Sequence, residues 1–125
     1  MAPLRDIMTS EVFSAGKEVS IANLAEAMVK GRFGSALIVQ GDLLLGILTE
    51  RDVLRAAASG TELTTASASA WMTPDPVTAP PDMDSDEAAE LMLSQGFRHL
   101  PVLDGASIAG VVSLRDVLSA RVRRG

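Results

Sequence analysis

Two stretches of the chain place a hydroxyl, a cation and a carboxylate in the same order: Gly46-Ile47-Leu48-Thr49-Glu50-Arg51-Asp52 and Gly110-Val111-Val112-Ser113-Leu114-Arg115-Asp116. Each reads as the end of an apolar strand running straight into a helix. At such a junction Thr49 or Ser113 sits beside free backbone N–H groups and the positive end of the helix dipole, a setting that can hold a phosphate. A carboxylate three residues on, Asp52 or Asp116, offers acceptors suited to the vicinal hydroxyls of a ribose. Arg51 and Arg115 add charge for phosphate pairing. The same spacing is also that of a plain helix cap with its acid in the first turn. The residues by themselves therefore allow ribose-phosphate recognition or capping alone.

Other chemistries find little support. There are no cysteines and one histidine, His99, so thiolate catalysis, disulfides and the usual zinc cages are excluded. The lone His99 forms no triad and reads equally as a satisfied histidine at a strand start. The acidic group Asp82, Asp84, Asp86 and Glu87 reads as helix capping, with Asp84 and Glu87 forming a capping box, rather than as a metal site. No Gly-rich phosphate loop of the Walker type, activated nucleophile or carboxylate cluster points to an enzyme. With 11 Lys+Arg against 16 Asp+Glu and a net charge of −5, the chain repels polyanions, and the arginines at 121, 123 and 124 are too few to grip a nucleic acid. No apolar run approaches the ~18 residues of a membrane span and no signal peptide is recognisable, so a cytoplasmic location is expected. Trp71 and the six methionines read as core or interface packing.

The elements that must position these residues come twice. Residues 8–61 overlay residues 72–125 without a gap at a shift of 64 positions, with identities at Met8/Met72, Thr9/Thr73, Ala15/Ala79, Glu26/Glu90, Met28/Met92, Phe33/Phe97, Gly41/Gly105 and Gly46/Gly110. The run Arg51-Asp52-Val53-Leu54 repeats as Arg115-Asp116-Val117-Leu118. Residues 1–61 and 71–125 are thus two repeats, with 62–70, small and polar, as linker. Each repeat opens with a turn and a short strand, at Val12-Phe13-Ser14 or Val77-Thr78. A helix follows, in which Ile21, Leu24, Ala25 and Met28, or Ala88, Leu91 and Met92, form the apolar face, and Ser20 is placed as N-cap of the first. Two apolar strands joined by a turn at Gly41-Asp42 or Asp104-Gly105, and a last helix, complete the unit. Neither repeat is long enough to stand comfortably alone. The order predicts an α/β fold of two β-α-β-β-α repeats about a pseudo-twofold axis, sheets together and helices outside, with the ligand cleft between repeats.

This arrangement resembles a tandem pair of cystathionine β-synthase (CBS) domains, known as a Bateman module. The resemblance rests on the Asp6-Ile7-Met8-Thr9 and Trp71-Met72-Thr73 openings, on Phe97-Arg98-His99-Leu100-Pro101-Val102, and on the doubled Gly-φ-φ-(Thr/Ser)-x-x-Asp signature. It implies that Asp52 and Asp116 bond an adenosine ribose while Thr49 and Ser113 approach phosphates. It also implies two composite sites. One joins Thr49, Arg51 and Asp52 to Val77, Thr78, Ala79, Gly96, Phe97, Arg98 and His99; the other joins Ser113, Arg115 and Asp116 to Phe13, Ser14, Ala15, Arg32, Phe33 and Gly34. Arg98 and His99 align with Gly34 and Ser35, so the Asp52 site is expected to prefer the more highly charged nucleotide, with Arg32 a partial compensation in the other. The expected protein is a stand-alone, non-catalytic sensor of AMP, ADP, ATP or S-adenosylmethionine that forms a homodimer and acts on a protein target, with no nucleic-acid or membrane partner. The alternative is a structural or interaction module of the same fold whose clefts stay empty.

Overall fold

Apolar residues at helical spacing and a serine poised ahead of them fix the first helix. A computed structural model describes residues 2–124, the Arg124 side chain excepted. The chain divides into two compact units, Phe13–Pro76 and a second made of Met1–Val12 with Val77–Gly125. In the unit Phe13–Pro76, β1 (Ser14–Ala15) leads to α1 (Ile21–Gly31), which buries Ile21, Leu24 and Met28. The Ser20 hydroxyl accepts from the Asn23 amide at 3.1 Å, as an N-cap should. β2 (Ser35–Gln40) and β3 (Leu43–Thr49) form a hairpin closed at Gly41-Asp42, where Gly41 takes φ +60°, the left-handed conformation that tight hairpin turns require. α2 (Glu50–Ser59), α3 (Ala68–Trp71) and β4 (Thr73–Pro74) complete the unit. The sheet order is β1-β2-β3-β4, with β1 parallel to β2 and the other pairs antiparallel. Its core gathers Ile21, Leu24, Met28, Ile38, Leu48 and Ala56.

In the other unit, α4 (Ser85–Gln95), β5 (His99–Asp104), β6 (Ser107–Ser113) and α5 (Leu114–Arg124) follow the same order. The short strand expected at Val77-Thr78 is reduced to a parallel bridge from Ala79 to Val102, in the register of Ala15 on Ile38. Thr9 bridges antiparallel to Val111, in the register of Thr73 on Ile47. Asp84 caps α4 as expected, but through the Asp86 amide at 3.1 Å. The reciprocal bond expected of Glu87 is not formed, and that side chain is exposed without a partner among the described residues. The mixed α/β class and the β-α-β-β-α order are thus as the sequence predicts.

The compact units are cut elsewhere than the sequence repeats. The opening segment of each repeat packs on the body of the other: Leu4, fully buried, and Ile7 and Met8 join the core of Met92, Leu100, Val102 and Val112. Trp71 and Met72 join the core of the unit Phe13–Pro76. The segment expected as linker is itself hydrogen-bonded there, with Ile21 N–H donating to the Ala66 carbonyl, Ala22 N–H to Leu63 and Ala68 N–H to Val19 at 2.8–2.9 Å. Small residues permit this close seat, and Ala68 is fully buried.

Candidate functional site

The strand–helix junction at Thr49 is a complete capping box. The Thr49 hydroxyl accepts from the Asp52 amide at 3.4 Å, and Asp52 Oδ2 accepts from the Thr49 amide at 2.9 Å and from the Thr49 hydroxyl at 3.1 Å. The second oxygen, Oδ1, accepts from Arg55 Nη1 at 2.9 Å. The Asp52 side chain is 8% exposed and that of Arg55 58%. The Arg55 guanidinium carbon lies 5.6 Å from the centroid of the Trp71 ring, within cation–π range. Arg51, expected to serve a phosphate, is exposed and has no ion partner among the described residues.

The junction at Ser113 repeats the box with different surroundings. Asp116 Oδ2 accepts from the Ser113 amide at 2.8 Å, and the Asp116 amide donates to the Ser113 hydroxyl at 3.0 Å. Position 119, which corresponds to Arg55, is a serine, and Asp116 Oδ1 has no hydrogen-bond partner among the described residues. Asp116 is half-buried where Asp52 is buried, and Arg115 is exposed like Arg51. Both junctions therefore bring a hydroxyl, a carboxylate and a helix start together, while also satisfying the helix.

The remaining expected residues lie at the starts of the two hairpins and of the strands beside them. In the unit Phe13–Pro76, Phe13 and Phe33 stack with ring centroids 5.3 Å apart, Ser14 and Ala15 form β1, and the Gly34 carbonyl accepts from the Glu50 amide at 3.2 Å. Arg32 takes φ +58° as the C-cap of α1, where the other repeat has Gly96 at φ +80°. In the other unit the Arg98 carbonyl accepts from the Leu114 amide at 2.9 Å, His99 pairs with Ser113 across the hairpin, and Ala79 bridges β5. Val77, Thr78 and Arg98 are exposed, and Phe97 is packed on the core. Each expected composite set draws residues from both units.

Sequence reasoning missed Arg55 and the pairing role of Trp71. The available signal was the break in the repeat: after identical Arg-Asp-Val-Leu runs, arginine stands against serine, and tryptophan against Ile7. Among the described residues no group of three or more His, Asp or Glu could hold a metal ion, and no helix is long and apolar enough to cross a membrane.

The model of the CBS domain family matches residues 4–59 and 68–123. The CBS domain-containing protein YhcV of Bacillus subtilis is 31% identical over 94% of this chain and 84% of its own length. A CBS-domain containing protein of Agrobacterium tumefaciens, 30% identical, superimposes with a TM-score of 0.89 over 96% of this chain and 99% of its own. A CBS domain pair solved in complex with 5-methylthioadenosine and S-adenosyl-L-methionine shares the fold at 24% identity, with a TM-score of 0.91 over 100% of this chain and 99% of that one.

Proposed function

The chain belongs to the CBS-domain family, and from that premise we propose that it is a regulatory sensor that binds an adenine nucleotide or related adenosyl ligand. The observation that carries the reading is the pair of capped junctions in which Thr49 with Asp52, and Ser113 with Asp116, offer hydroxyl and carboxylate at a helix start. Donors on a ribose diol suit the carboxylate, and a phosphate suits the helix terminus. A structural neighbour bound to two adenosyl compounds supports this ligand class.

The protein signals as a homodimer, through changed dimer geometry or changed affinity for a protein target. Exposed Val29 and Leu93 stand at equivalent positions of α1 and α4, and exposed Leu54 and Leu118 at equivalent positions of α2 and α5. Apolar side chains left on repeated helix positions support association of two copies through these helices.

Calorimetric titration of AMP, ADP, ATP and S-adenosylmethionine into wild type, Asp52→Ala and Asp116→Ala tests the reading. Each variant is expected to lose one binding event and stay folded. A wild type that binds none of the four at millimolar concentration overturns the sensor and leaves the alternative, a structural module whose aspartates only cap helices.

A further inference from the structure

We propose that Arg55 is a latch on the Asp52 carboxylate that competes with a ligand's ribose, so that the Asp52 site favours anionic ligands while the Asp116 site accepts neutral nucleosides as well. The inference rests on the reading of Asp52 as a ribose acceptor. Of the two Asp52 oxygens, Oδ2 is held by the Thr49 amide and hydroxyl, bonds that the start of α2 depends on. Oδ1 is the oxygen a ribose hydroxyl can reach without undoing the cap, and Arg55 Nη1 already occupies it at 2.9 Å. Arg55 lies one turn along the same helix, at the spacing that makes two side chains neighbours on a helix surface. Trp71 holds the guanidinium through its ring face, 5.6 Å away, and so favours the closed position.

The other repeat lacks both halves of the device. Ser119 and Ile7 stand where Arg55 and Trp71 stand, and Asp116 Oδ1 is unpartnered among the described residues. A ribose therefore meets an acceptor with no protein partner at Asp116, and at Asp52 one that already accepts a charge-assisted bond with which the ribose must compete. A ligand carrying phosphate gives the released guanidinium a new anion and offsets that loss. Adenosine does not.

The Asp116→Ala variant isolates the Asp52 site. Adenosine and AMP are titrated calorimetrically into Asp116→Ala and Asp116→Ala/Arg55→Gln, and Trp71 emission is recorded throughout. Because Arg55 is exposed, its removal is expected to tighten adenosine binding by about 1.5- to 5-fold, the range of one surface charge pair, and to narrow the preference for AMP. Trp71 emission is expected to change when AMP binds the Arg55 protein, and to differ already in the unliganded Arg55→Gln protein. Arg55→Lys, which keeps the cation without the planar fork, is expected to fall between. If Asp116→Ala binds AMP but Arg55→Gln leaves adenosine binding equal or weaker, the latch is wrong and the site reading stands. Unchanged Trp71 emission in unliganded Arg55→Gln also overturns the latch, since the closed state is then not formed. If neither ligand binds Asp116→Ala, with or without Arg55, the ribose role of Asp52 fails and the latch with it.

Discussion

Gly46 and Gly110 open the two signature stretches, and their role is steric. A Cβ at Gly46 would lie 2.5 Å from Met72 Sδ and 2.7 Å from the Thr73 carbonyl; at Gly110 it would lie 2.8 Å from Met8 Sδ and 2.6 Å from the Thr9 carbonyl. The methionine can move, but the carbonyl belongs to the strand pairing on that edge. The repeated Met-Thr and Gly residues are thus two halves of one contact made twice. Gly46→Ala and Gly110→Ala are each expected to destabilise by about 1–3 kcal/mol, the usual cost of overpacking, as measured by urea unfolding. A cost near zero in both would show that the edge segment is not seated on the hairpin. The aspartates are cheaper to change. Asp116→Ala removes one acceptor of a cap and is expected to cost about 1 kcal/mol, leaving a folded protein on which binding can be measured.

At the scale of elements, the exchanged opening segments tie distant parts of the chain together. Leu4 sits near the N-terminus, yet it is fully buried in the core of Met92, Leu100 and Val112. Leu4→Ala is expected to cost about 2–5 kcal/mol, as for other core truncations, and a loss below about 1 kcal/mol in urea unfolding would contradict that seat. α4 and α5 are joined by Arg121, whose Nε donates to Asp86 Oδ1 at 3.1 Å. That guanidinium holds the Asp86 carboxyl below its ordinary pKa. A depressed carboxyl stabilises the fold above the ordinary aspartate value of about 4, and the contribution is lost as pH falls through the lower folded value. Arg121→Gln is therefore expected to lower Tm at pH 6 and to converge with wild type once the pH has fallen below the lowered Asp86 value; a gap that persists with the carboxyl protonated would assign the effect to packing instead. The hairpins, the α1 face and the Ser20 cap were legible because spacing and turn chemistry act within a few residues. The exchange was not, because Leu4 and Leu63 lie outside any periodic run, and the small residues 66–70 read as linker when their smallness is what lets them pack. At the site, the Thr49–Asp52 and Ser113–Asp116 pairs were legible from spacing. Arg55 on Asp52 was not, since a cation one turn into a helix reads as solvated surface.

At the scale of the whole molecule, a sensor of the proposed kind must convert occupancy into a change of dimer geometry or of affinity for a target. Leu54, 69% exposed, and Leu118, 53% exposed, repeat one helix position in two units, and Val29 with Leu93 repeat another. A pair of charges there, Leu54→Glu with Leu118→Glu, is expected to give a monomer by sedimentation while the circular dichroism of the fold is kept; a dimer that survives would place the contact elsewhere. The signalling claim is stricter, because a ligand shifts an equilibrium only by its differential affinity for the two states. By linkage, the factor by which AMP changes the dimer dissociation constant must equal the factor by which dimerisation changes AMP affinity. The first is read by sedimentation with and without saturating AMP, the second by titrating AMP into wild type and into the Glu variant. Agreement at a factor of about 5 or more, the lower end of ordinary allosteric coupling, would make dimer geometry the output. Two factors of one, with AMP bound, would mean that the dimer is only a platform and that the signal passes to a protein target through surface that changes on binding.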